Sequence, residues 1–204
     1  MTRIQVSGTG AARAVPDYAT LRFRSQAEAA TPALALDLVA TQAVAVQDVL
    51  DGLGTARQDR GNQHTSVHRE TRWEDGAEIT LGWQGVMTTE CTVREVTDAF
   101  GVLEAVAALD DVGATGPDWQ ISQDNPAYAE AREAAVAAAR AKAEDYARAA
   151  GLALGRLVHL SDAAPVMGPV RAAPMRAAAA ETIDPELREV TATVTMEWET
   201  SDGG

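Results

Sequence analysis

The chain has 204 residues, room for one medium domain or two small lobes and too little for several independent ones. Thirty acidic residues against 17 basic ones give a formal charge of −13, and no Lys/Arg cluster breaks that balance, which excludes nucleic acid as a partner. A single cysteine excludes an internal disulfide framework and any Cys-rich metal knuckle.

Residues 4–15 read as a strand, and Gly8 and Gly10 inside it predict a bulge or bend. Pro16-Asp17 is a turn signal. Beyond it Ala19, Leu21, Phe23 and Ser25 alternate with polar residues, the pattern of a half-buried strand. Thr31-Pro32 opens a helix, with Thr as N-cap and Pro where its missing donor costs nothing. Its predicted apolar stripe is Leu38, Val39, Val46, Val49, Leu50 and Leu53, closed by Gly52 and Gly54. A strand over 63–73, a turn at Glu74-Asp75-Gly76 and a long return strand follow. On the return strand Ile79, Leu81, Trp83, Gly85, Met87, Thr89, Cys91 and Val93 are expected to share one face.

A second helix is predicted over 95–109 through Val96, Phe100, Leu103 and Val106, then a short strand over 118–123. Asn125-Pro126 repeats the cap-plus-proline device and opens the longest helix, to about residue 150. The face of that helix is Tyr128, Ala131, Ala135, Ala139, Ala143 and Tyr146, mostly methyl groups that let it lie close against a sheet. Residues 156–160 read as a strand. The stretch 163–186 carries Pro, Met and Ala without periodicity and reads as a long loop. The last strand alternates Val190, Ala192, Val194, Met196 and Trp198 against polar residues, and 201–204 are a tail. The mixed order predicts an α+β fold: two small lobes of mostly antiparallel sheet with helices packed on one face. The division falls at about 1–94 and 95–200.

Three segments together resemble the SIMPL-domain, YggE-like family. They are Val6-Ser7-Gly8-Thr9-Gly10 with Val15-Pro16-Asp17, Gly82-Trp83-Gln84-Gly85 leading to Val93-Arg94-Glu95-Val96, and the helix from Ala131-Arg132 through Ala138-Arg140-Lys142-Glu144 to Ala150-Gly151-Leu152. The resemblance covers residues 1–200 as a single domain and implies an α+β fold with no established enzymatic activity and no cofactor. It also implies oligomeric members, a link to oxidative-stress defence, and a periplasmic or envelope setting. Trp83 stands where the family more often has tyrosine.

The N-terminus shows no basic n-region, apolar run and cleavage site, and no stretch reads as a transmembrane span. As written the chain is expected to be cytoplasmic, or periplasmic or envelope-associated if a leader was removed. Cys91, by strand parity, is expected to be an inert core thiol. His64 and His68 share a strand face roughly 13 Å apart, too far to chelate one metal, and read as surface residues. His159 is expected at a strand edge or within the sheet. Gly8-Thr9-Gly10 lacks the third glycine and following helix of a phosphate loop. No catalytic, cofactor or metal residues are assigned.

The expected function is therefore non-enzymatic: self-assembly, forming a homo-oligomer, or binding of an unidentified protein partner. Met167, Arg171, Met175 and Arg176 in the 163–186 loop, with an edge strand, are the candidate assembly face. The alternative is binding of a small molecule or metal in a cleft between the lobes, near Trp73, Trp83 or Trp119.

Overall fold

In the computed structural model, which describes residues 2–74, 76–163 and 185–202, the chain divides into two units. One is Pro16–Gln120; the other joins Met1–Val15 to Ile121–Gly204. A break near residue 94 is thus replaced by one at 15/16 and 120/121. The reason is pairing: the first strand needs the last one as its neighbour, and the segment after residue 94 packs with the strands before it. Both units are antiparallel sheet with helix on one face, so the α+β class holds.

The Pro16–Gln120 unit is a four-stranded sheet. Its strands in chain order are β2 (Tyr18–Ala29), β3 (Arg60–Glu74), β4 (Ala77–Val93) and β5 (Val112–Gln120), arranged β3–β4–β2–β5. Period-two alternation on β2 sends Ala19, Leu21, Phe23 and Ser25 inward, and all four are fully buried. Leu21 and Phe23 each contribute roughly 1.5–3 kcal/mol by leaving water. Helix α1 (Pro32–Gly52) covers them. Thr31 Oγ1 accepts from the Leu34 amide at 3.3 Å, and Gly54, at φ +74°, follows the last turn in the left-handed conformation that glycine adopts freely.

The buried stripe of α1 is Ala35, Val39, Ala43, Val46 and Leu50, whereas Leu38 and Leu53 face out. By length and composition α1 could cross a membrane, contrary to the sequence reading. Here its apolar stripe lies against β2 and β4. Helix α2 (Ala99–Ala107) is shorter than predicted because Val96–Asp98 form a 3₁₀ turn. Its buried residues are Ala99, Val102 and Val106, and Phe100 meets Trp119 with ring centroids 6.3 Å apart. Strand β5 begins six residues before the predicted one, since Gly113, Gly116 and Pro117 hide its strand character in the sequence.

The other unit contains β1 (Arg3–Ala14), α3 (Pro126–Ala149), β6 (Leu152–Ala163) and β7 (Arg188–Asp202), with sheet order β1–β7–β6. β7 is the central strand, and its Val190, Val194, Met196 and Trp198 are buried as predicted. Asn125 caps α3 by accepting from the Ala127 amide at 2.9 Å. Spacing of four places Ala127, Ala131, Ala135, Ala139, Ala143 and Ala147 on one buried stripe, while Tyr146 is exposed.

That stripe corrects the expectation of a bulge at Gly8 and Gly10. The β1–β7 register runs unbroken from Arg3↔Glu199 to Ala14↔Arg188. A Cβ at Gly8 would lie 2.3 Å from the Ala135 carbonyl oxygen, and one at Gly10 would lie 2.3 Å from the Ala131 carbonyl oxygen. The two glycines are present because the α3 backbone occupies the space a side chain would need. The same device recurs in the first unit, where a Cβ on Gly85 would meet the Ala35 carbonyl oxygen at 2.6 Å.

Candidate interaction surface

The predicted assembly residues Met167, Arg171, Met175 and Arg176 lie outside the described residues. What the described residues offer is a set of sheet edges, and unpaired strand edges are pairing templates unless blunted. β5 is blunted by Pro117, which has no amide to donate. β6 shifts register at Leu154/Leu157 and at Leu157/His159, and such bulges twist an edge away from flat pairing. On β1 the Lys142 ammonium donates to the Ser7 carbonyl at 3.4 Å. β3 differs. It is the longest of the four edge strands at 15 residues, and its ladder with β4 shifts register at Asn62/His64 and again at Glu70/Thr71.

The β3–β4 hairpin also exposes apolar surface. Trp73 is 73% exposed, Leu81 55% and Ile79 42%. The expected single face from Ile79 to Val93 therefore holds only in part. Glu70 pairs with Gly82 but Thr71 with Thr80, so Leu81 is an extra residue on β4. This insertion puts Ile79, paired with Arg72, on the opposite face from Trp83, paired with Arg69. The core side of β4 keeps Gly85, Thr89, Cys91 and Val93. Arg69 lies over the Trp83 ring at 5.2 Å, a cation–π contact. Of the three tryptophans weighed from sequence, Trp119 packs on the core, Trp83 is half-buried, and Trp73 is open.

Cys91 is fully buried, and burial pushes its thiol up to about 11. The nearby Arg60 charge offsets only part of that desolvation. A thiol this far from thiolate at neutral pH is neither a nucleophile nor a metal ligand. His64 and His68 are exposed, as expected, and His159 is exposed opposite Glu197. Among the described residues no three His, Cys, Asp or Glu side chains converge as a metal site.

The sequence reading missed Arg60. Its side chain is 2% exposed, its Nη1 donates to the Gln47 carbonyl at 2.8 Å, and its Nη2 pairs with Asp51. Next to it Arg94 clasps Asp59, with Nε to Oδ2 at 3.0 Å. These contacts tie the end of α1 to the start of β3 and thereby fix the base of the hairpin. An arginine at a strand start gives no sequence signal of burial.

Each unit also holds a concavity. In the first, a polar cavity of about 330 Å³ is walled by Gln26, Glu28, Leu38, Gln42, Gln84 and Asp111. In the second, an apolar groove of about 190 Å³ lies between α3 and the β6–β7 strands, beside Val136 and Leu160.

Comparison with known proteins agrees with the resemblance. A family model described as SIMPL, protein of unknown function (DUF541), matches residues 4–198. The chain is 32% identical over 171 residues to a "26 kDa periplasmic immunogenic protein" of Brucella melitensis, covering 78% of this chain and 66% of that protein. It is 28% identical over 156 residues to "Uncharacterized protein YggE" of Edwardsiella ictaluri, covering 74% of this chain and 64% of that one. The chain thus spans just under two thirds of the relatives it matches. With a family model fitted from β1 to β7 and the order of elements it requires, the chain belongs to the SIMPL family.

Proposed function

We propose that this SIMPL protein works by association, with itself or with a protein partner, and carries out no chemistry of its own. The observation that carries this reading is the β3–β4 hairpin, where the longest edge strand and the open side chains of Trp73 and Leu81 coincide. Exposed apolar side chains beside an unpaired edge are what an interface uses. The periplasmic name of the Brucella relatives supports a periplasmic setting for this chain. Protection against oxidative stress, in that setting, is exerted by an assembly rather than by thiol turnover, since Cys91 is buried and protonated.

Sedimentation velocity tests the reading on the wild-type chain and on a Trp73→Ser/Leu81→Ser variant, with circular dichroism confirming that both are folded. The wild type sediments as an oligomer and the variant as a smaller species. Equal sedimentation of the two at every concentration would overturn the role given to this surface.

A second reading rests on the polar cavity. Three amides and two carboxylates facing about 330 Å³ suit a small polar or cationic metabolite. Thermal-shift screening with polyols, amino acids and amines checks it. A rise in Tm that Gln42→Leu abolishes supports binding, and no shift with any compound removes it.

A further inference from the structure

The groove between α3 and β6 holds an acid and a base that do not meet, and we propose that it binds a small zwitterion: a free amino acid with an apolar side chain. The site lies wholly within the second unit and does not depend on association.

The groove exists because α3 covers only part of its sheet. Gly8 and Gly10 let the helix sit against β1, and its alanines pack with Val6, Val194, Met196 and Trp198 of β1 and β7. That position leaves β6 at the open side. Register places Leu160 opposite Met196 and Asp162 opposite Val194, so both side chains stand on the face that α3 overlies. Even so, Leu160 is 51% exposed and Val136, on the facing wall of α3, is 37% exposed. Between them lies the apolar groove of about 190 Å³, lined also by Ala135, Ala192 and Val194.

The two walls are laid out alike. α3 and β6 run antiparallel through the turn at Ala150-Gly151. The step from Arg132 to Val136 is about 6 Å along the helix, and that from Asp162 to Leu160 is about 6–7 Å along the strand. The charged pair thus marks one end of the groove and the apolar pair the next step in. Arg132 and Asp162 both line it, yet neither forms an ion pair with the other or with any other described residue. Tyr128, one turn before Arg132, holds the guanidinium over its ring at 5.9 Å. Such stacking occupies a face of the guanidinium and leaves its N–H edge for a planar oxyanion.

These features select the ligand. An α-carboxylate suits Arg132 and an α-ammonium suits Asp162, and an amino acid carries the two on one carbon. Its side chain then lies between Val136 and Leu160, where an apolar group gains most and a polar one loses water. A fatty acid would bring its carboxylate beside Asp162, and a simple amine would bring its charge beside Arg132. A zwitterion meets neither repulsion. The size agrees, since about 190 Å³ is below the roughly 300–1,000 Å³ of sites for drug-sized molecules.

Titration of the full isotope-labelled chain with L-leucine, followed by two-dimensional NMR, tests the site. Three analogues each lack one element: N-acetyl-leucine the ammonium, leucinamide the carboxylate, and glycine the side chain. Leucine is expected to shift the amides of Val136 and Leu160 and to bind in the millimolar range or tighter, with each analogue roughly tenfold weaker. Arg132→Gln and Asp162→Asn, with circular dichroism confirming the fold, are expected to lower leucine affinity by a similar factor. Asp162→Asn should not weaken N-acetyl-leucine further, nor Arg132→Gln leucinamide, because each pair has already lost that contact. If leucine moves no groove amide, if an analogue binds as tightly as leucine, or if the variants leave leucine affinity unchanged, the assignment is wrong. Octanoate binding more tightly than leucine would also overturn it and make the groove a fatty-acid site.

Discussion

Gly8 of β1 sits beneath Ala135 of α3 so closely that a Cβ on the glycine would lie 2.3 Å from the Ala135 carbonyl oxygen and 2.4 Å from the Ala139 amide nitrogen. The obstructing atoms are helix backbone, which cannot rotate away as a side chain would. Helix and strand are therefore matched as a pair: alanine every fourth residue on one, glycine every second residue on the other.

Gly10→Ala is accordingly expected to destabilise the protein by about 1–3 kcal/mol or more, the range for overpacking a site that cannot relax. Gly101→Ala provides the contrast. Gly101 lies within α2, and a methyl group added there would meet nothing within 4 Å, so alanine is expected to stabilise by roughly 0.5–1 kcal/mol. Urea denaturation of the two variants checks both signs.

The Gly8/Gly10 relationship also shows where sequence reading stops. The alternation of β2 and β7, the two Pro-opened helices and the alanine stripe of α3 are written in periodicity and capping, and all of them form, with Leu38 and Leu53 of α1 and Tyr146 of α3 facing out rather than in. The glycines of β1 are visible too, but a bulge and a close helix approach leave the same letters in the chain. Only the partner element distinguishes them. Strand β5 escapes because its glycines and proline suppress local strand preference, and its strand state comes from pairing with β2. The parity of β4 fails at Leu81 because one inserted residue reverses every side chain beyond it. In the interaction surface, Trp73 is legible as an aromatic on a strand, while its openness depends on how far the hairpin runs past α1.

The buried thiol gives the protein a specific alkaline behaviour. A group whose folded pKa is raised holds its proton more tightly when folded, so it stabilises fully below the unfolded pKa and loses that contribution above it. For Cys91 the loss runs from about pH 9 to about 11 and is on the order of 2–3 kcal/mol. Stability measured across that interval should fall more steeply in the wild type than in Cys91→Ala. The same thiol should be silent to thiol reagents at neutral pH in the native protein and react once the chain is unfolded.

The two capping residues carry separable contributions. Thr31→Ala and Asn125→Ala each remove a side-chain acceptor from a helix start and are each expected to cost about 1 kcal/mol. Because Thr31 and Asn125 belong to different units, the double variant should show the sum of the two losses if the chain unfolds in one transition. Denaturation followed by far-ultraviolet circular dichroism measures all three.

Association is the claim on which the functional account stands, and absolute mass in solution tests it most directly. Light scattering after size exclusion, at two protein concentrations, should give a whole-number multiple of 21.4 kDa, with the larger species favoured at the higher concentration or stable at both. A mass of 21.4 kDa at both concentrations would contradict self-association and leave the polar cavity of the first unit as the place to look for function.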